Sequence, residues 1–222
     1  MGPWTLVELR PPVQRGTVHV LIPKIEGLAA RSVARELEDA GHTVHTCHTQ
    51  NGATDCAVLD DLTCPLDTAP VDAAVAVGPG CTDTPGDGAL CALTRRIPLV
   101  LVNGTADHPL LPWAADAVAD GDLSSDLVDL VSRPLPAHTE VASRAMLGEL
   151  RRQGTENAHS VVEVRRRYGG LVVEVWPDAT MTRTQAERMA THVAQAVRAY
   201  DSWARCLDVM VHEPARIETP GS

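Results

Sequence analysis

The sequence predicts an α/β chain in two parts: a doubly wound parallel sheet, then a smaller α+β unit of α-β-β-α-β order. Three observations predict this. Short apolar runs alternate with segments of helical period through the first 135 residues. After Pro134-Leu135-Pro136 the pattern changes to longer helices and alternating strands. A composition of 44% hydrophobic and 22% charged residues over 222 positions is enough for two cores.

The elements follow in order. Residues 1–16 read as an extended arm broken by Pro3, Pro11 and Pro12, and residues 17–22 as a buried strand bounded by Pro23. A helical period from Gly27 to His42 puts Ala29, Val33, Leu37 and Ala40 on one face. Strands are expected at 43–47, at 71–77, apolar on both faces as central parallel strands are, at 97–102 and at 117–119. Helices are expected at 89–96 and at 125–131, the latter capped by Ser124 or Ser125. The connection from His48 to Pro70 carries Gly52, Pro65, Pro70 and two cysteines, so a short helix or a hairpin around Asp60-Asp61 is expected there.

In the second part, Thr139 to Gln153 reads as a helix with Ala142, Met146, Leu147 and Leu150 inward, stopped by Gly154. Residues 160–167 and 171–176 alternate across Tyr168-Gly169-Gly170 as an antiparallel hairpin. Thr184-Gln185-Ala186-Glu187 has capping-box form and opens a helix striped by Met189, Val193, Ala196, Val197 and Tyr200; Cys206 to His212 is a last strand. The expected divisions are an arm at 1–16, a first domain at 17–135, a second at 137–214 and a flexible tail at 215–222.

Charge narrows the function. Residues 1–135 hold 8 Lys and Arg against 18 Asp and Glu, whereas residues 136–222 hold 11 of each. An acidic first half repels phosphate backbones, and 3% aromatic content without Phe leaves few stacking platforms, so nucleic acid is not an expected partner. No run approaches the ~20 apolar residues of a membrane span, and Met1 to Leu6 lacks the basic and apolar regions of a secretory signal. The expectation is a cytoplasmic protein without membrane insertion, its six cysteines thiols or metal ligands rather than disulfides.

The first part resembles a response-regulator receiver, with flavodoxin-like strand order, in Glu38-Asp39-Ala40-Gly41-His42-Thr43-Val44, in Val71 to Val77 and in Arg96-Ile97-Pro98-Leu99-Val100-Leu101-Val102. Receivers hold magnesium on an acidic pair, take phosphate on an Asp, and use a hydroxyl and a Lys. Those places here hold Ile22-Pro23, Val77-Gly78, Asn103 and Asp120, so the resemblance implies a degenerate receiver without aspartyl-phosphate chemistry. From Val161 to Pro214 the second part resembles the cytosolic, ferredoxin-like domain of cation diffusion facilitators, in Val164-Arg165-Arg166-Arg167-Tyr168-Gly169-Gly170 and in Val209-Met210-Val211-His212-Glu213-Pro214. One family metal ligand falls on Val172 and the other on His212, so the resemblance does not carry metal binding with it. The same element order also suits small alkaline-shock-type domains.

A doubly wound sheet binds ligands beyond the carboxyl ends of its first and third strands. Lys24, the only lysine, lies there, with Gly78, Gly80 and Asn103 as the other expected ligand-binding residues; Gly78-Pro79-Gly80 lacks a phosphate fingerprint. Cys47, His48, Cys56, Cys64 and Cys81 supply the residue types that hold zinc or an iron–sulfur cluster, without a standard spacing. Cys47 and Cys91 read equally as small apolar core residues. Asp107-His108 and Ser124-Ser125 follow strands, but no G-x-S-x-G elbow accompanies them. The leading reading is a non-enzymatic regulatory or interaction protein that binds a small ligand or a protein partner and dimerises through its second domain. A metal or thiol-redox protein using the cysteine set is the second. An enzyme at the crevice with Lys24 and Asp107 in acid or base roles is the third.

Overall fold

A computed structural model describes residues 17–25, 27–47, 64–78, 87–118, 122–155 and 159–213. Its first half runs β1 (His19–Ile22), α1 (Gly27–Asp39), β2 (Thr43–Thr46), α2 (Pro65–Thr68), β3 (Ala73–Val77), α3 (Asp87–Thr94), β4 (Leu99–Val102), β5 (Asp116–Val118) and α4 (Leu123–Ser132). All strand pairs in this half are parallel, in the order β2-β1-β3-β4-β5. The alternation of side chains along each strand divides the core in two. Val20, Ile22, Ala73, Val75, Val100 and Val102 meet α1 and α4, while Leu21, Ala74, Leu99 and Leu101 meet α2 and α3 on the opposite face.

The second half runs α5 (Pro136–Arg152), β6 (Val161–Arg167), β7 (Gly170–Trp176), α6 (Arg183–Tyr200) and β8 (Leu207–Val211). β6 and β7 are antiparallel and β8 joins β7 in parallel. Both helices cover one face of this sheet, packing Ala142, Met146, Leu150, Met189, Val193 and Val197 on Val162, Val164, Leu171, Val173 and Val175. No described helix is long and apolar enough to cross a membrane.

Several local expectations shift. α1 ends at Asp39, before Gly41 with its φ of +87°, and buries Ala30, Val33, Ala34 and Leu37, so Ala29 and Ala40 are exposed. The cap of α4 is Asp122, whose carboxylate accepts from Ser125 N–H; an Asp one residue outside the helix competes better for those amides than a serine inside it. α5 starts at Pro136 rather than Thr139, because proline lacks the N–H that a first helical residue leaves unused. Leu147 points outward. The capping box of α6 is Thr182 with Gln185, two residues before the expected one. Residues 60 and 61 lie outside the described residues.

The two halves meet at the amino-terminal ends of the parallel strands. Between β6 and β7 the chain turns in two residues, Tyr168 (φ 52°) and Gly169 (φ 67°), the positive-φ pair that matches strand twist in a tight hairpin. That turn rests on the backbone before β3: a Cβ on Gly169 would lie 2.6 Å from Pro70 Cα and 2.9 Å from Val71 N. Asp72, buried, accepts there from Gly169 N–H (2.7 Å) and from His19 N–H (3.1 Å). Arg96 lays its guanidinium 3.9 Å from the Tyr200 ring centre and donates to both the Tyr200 carbonyl and hydroxyl.

Gly169→Ala adds a left-handed-backbone cost to a clash with main chain that cannot rotate away. It should lower stability by about 2 kcal/mol or more. Urea denaturation measures this, and a midpoint equal to wild type would show that the turn does not bear on the first half in the way described.

Candidate functional site at the carboxyl ends of the parallel strands

α1 lies on one face of the sheet and α2 and α3 on the other, so the chain diverges to opposite faces on either side of β1. In such a sheet a crevice opens beyond the carboxyl ends of β1 and β3. β1 ends at Ile22 and passes into Pro23, Lys24 and Ile25; β3 ends at Val77, followed by Gly78 with φ of +120°; β4 ends at Val102, followed by Asn103 with φ of 55°. Gly78 N–H still donates to Val102 O (2.9 Å) and Asn103 N–H to Val118 O (2.9 Å), so both residues are held at the sheet's end while their backbones turn away from it.

Lys24, Gly78 and Asn103 therefore stand at the ends of three adjacent strands. Lys24 is half-buried and takes part in an interaction within the protein. Gly80 lies outside the described residues. The packing beside the end of β1 is tight, because a Cβ on Gly88, in the first turn of α3, would meet both Cys47 Sγ and Pro23 Cβ at 2.8 Å. Glycine there lets α3 approach the end of β1.

Of the metal or redox candidates, Cys47 is buried among Leu21, Ala89 and Leu101, as a small apolar core residue would be. Cys64, half-buried, stands at the N-cap position of α2 without a side-chain capping bond and touches the same core. His48, Cys56 and Cys81 lie outside the described residues. Among the described residues, Cys64 and Cys206 are free thiols and no three His, Cys, Asp or Glu side chains gather as a metal site.

Two histidines that could suggest acid–base work are committed elsewhere. His108 is buried and its Nδ1 accepts from Leu110 N–H (3.1 Å). His42 Nδ1 lies 3.2 Å from Val18 N–H and accepts from it, which leaves Nε2 protonated and donating to Ser124 Oγ at 2.8 Å. In that tautomer the imidazole cannot withdraw the serine proton, so the pair ties α4 to β1 rather than activating a nucleophile. His19 and His45 stack at 5.6 Å with Nδ1 and Nε2 3.2 Å apart, so one ring donates to the other.

Other ionisable groups gather in the second half, His138 and Asp201 among them without any signal in the sequence. His138 Nε2 lies 2.9 Å from Asp201 Oδ2, and Arg166 reaches the same oxygen at 3.5 Å, with all three side chains buried. Burial alone would raise the Asp201 carboxyl, but the hydrogen bond with His138, the Arg166 charge and the Trp203 N–H together hold it below the usual range. Glu149 is fully buried beneath Arg152, Arg188, His192 and Gln153. Its carboxyl is lowered first by the Gln153 hydrogen bond and then, against burial, by the three neighbouring bases.

The titrations act in one direction. Burial lowers His42 against the nearby Asp122, and lowers His45 with help from His19 and against Asp72. A histidine whose folded value is depressed gives stability that is complete above the unfolded value near 6.5 and is lost as pH falls through the folded one, by at most about 1.4 kcal/mol per pH unit for one proton. Asp201 and Glu149 lose theirs lower, as pH falls from the unfolded carboxylate range through their own depressed values. Denaturant midpoints should fall from pH 7 to pH 5, and His42→Asn should flatten that fall; a midpoint independent of pH in this window would contradict the assignment. Comparison with known proteins found no matching family model, curated protein or solved structure.

Proposed function

We propose that this chain is a non-enzymatic regulatory or interaction protein. In this reading the first half is a flavodoxin-like, degenerate receiver-like domain that takes a small ligand or a partner at the crevice beyond β1 and β3, and the second is a ferredoxin-like domain coupled to it. The observation that carries the reading is where the halves are joined. Asp72, Arg96 and Gly169 fasten them at the amino-terminal ends of the strands, which leaves the crevice at the opposite ends uncovered by the second half. A sheet held from below by a second domain whose described contacts all lie away from the ligand end suits the transmission of binding.

Lys24, Gly78 and Asn103 are the contacts proposed for the ligand: an ammonium for an anionic group and two residues whose positive φ turns the chain that follows them out of the sheet. Pairing of two copies through the second sheet is supported by its two edge strands, β6 and β8, and by the exposure of Val161 and Met210 on the face that the helices leave open.

The test is a nitrogen-15 amide titration with adenosine, guanosine and flavin mononucleotides in turn. A binder should shift the amides of Lys24, Gly78, Asn103 and Gly104, and Gly78→Val should abolish those shifts without unfolding the chain. Shifts confined to other residues for every binder, or a Gly78→Val variant that binds as wild type does, would refute the crevice. Light scattering should give twice the mass of 23.7 kDa at high concentration, and a monomer there would remove the pairing.

A further inference from the structure

The second sheet is covered by helices on one side only, and the alternate row of each strand faces outward. Register sets those outward residues in ranks across the sheet. At one end Trp176 stacks on His212, ring centres 4.9 Å apart, with Val161 on its other side and 50% exposed. Nearer the hairpin Val172 stands between Arg165 of β6 and Asp208 of β8.

The centre of this face is neutral as it stands, because Arg165 answers both Glu163 and, at 2.8 Å, Glu174. Met210, beside Glu174, is 43% exposed. Two charges remain. Asp208 on one edge strand and Arg167 on the other are exposed, and neither meets an opposite charge among the described residues. The outer edge of β6 is already used at its middle: Val164 N–H donates to Thr139 Oγ1 at 3.1 Å, and its carbonyl accepts from Leu135 N–H at 2.7 Å. An edge occupied in this way cannot zip along its length onto a second sheet.

We propose that the pairing put forward above is face to face, between second sheets of two copies related by a two-fold axis that runs along β7. This inference rests on that pairing and fixes its geometry. Rotation about such an axis lays β6 of one copy over β8 of the other. Trp176 then meets the partner's Trp176, Val161 meets the partner's His212, and the end of β6 that carries Arg167 comes over the partner's Asp208. The apolar rank is buried against itself, and the two unanswered charges find opposite ones twice by symmetry, with the sheets at the usual separation of about 10 Å. Strands of five to seven residues, about 4.8 Å apart, give a face of only about 14 by 24 Å. That is small beside the roughly 800 Å² per partner of a standard interface, so the association is weak and shows at high concentration.

The test is sedimentation equilibrium of the full chain over a range of concentrations. Val172 lies on the central strand and on the axis, so Val172→Lys sets two ammonium groups against each other and should abolish the dimer, with circular dichroism unchanged. Pairing along the β8 edge would not feel that change. Asp208→Arg, at an exposed position that does not bear on folding, should weaken the dimer about tenfold or more, because attraction becomes repulsion at both symmetric contacts; it decides the question should Val172→Lys fail to fold. Either folded variant dimerising as wild type does overturns the face-to-face geometry and leaves an edge contact as the pairing. A wild-type chain that stays monomeric removes the pairing and this geometry together.

Discussion

Asp72 interrupts an otherwise apolar segment, and the joining of the two halves turns on it. A carboxylate almost fully withdrawn from water must have its oxygens satisfied. One oxygen accepts from His19 at the start of β1, which fixes the loop before β3 to its own sheet; the other accepts from Gly169 at the tip of the β6–β7 hairpin. Each half thus supplies a donor to the same buried group. Separating the halves would strip one of those bonds and return the turn to water, so the geometry of the hairpin and the orientation of the second sheet are coupled to one side chain.

The rest of the seam is arranged around that bond. Arg166 projects from β6 toward the first half and lies near Asp72 as well as Asp201, and both carboxylates counter the pull of burial on its guanidinium. Behind it His138 and Asp201 bind α5 to the end of α6, so the second half presents a stiff, hydrogen-bonded surface to the first. Arg95 and Arg96, in the connection into β4, complete the contact by stacking on Trp203 and Tyr200. The junction is therefore polar and directional where the two cores are apolar and layered, and polar contacts of this kind set orientation more than they add stability.

Most of the fold was legible because both halves obey simple periods. Runs such as Leu99-Val100-Leu101-Val102 have the length and β-branching of central strands, and the alternation of Val162, Val164 and Arg166 is plain in the sequence, as is the Tyr168-Gly169 turn. Element ends were less legible: proline at the first turn of α5 and Asp122 outside α4 competed with equally plausible neighbours. The residues at the ends of β1, β3 and β4 could be named from topology, since those ends are fixed once the strand order is. The seam could not, because Asp72 and Gly169 are 97 residues apart and no pattern in the sequence pairs them. Two signals were present nonetheless: an aspartate beside a buried strand, and an arginine on the inward row of β6. Each marks a charge that needs a partner from elsewhere in the chain.

If the halves are one body joined through Asp72, their orientations are fixed in solution. Residual dipolar couplings of backbone amides test this directly, because rigidly connected units share one alignment. The couplings of β1, β3 and β4 and those of β6, β7 and β8 should fit a single tensor in the relative orientation described here. Two tensors of different magnitude, one for each sheet, would show that the halves move independently and would contradict the account.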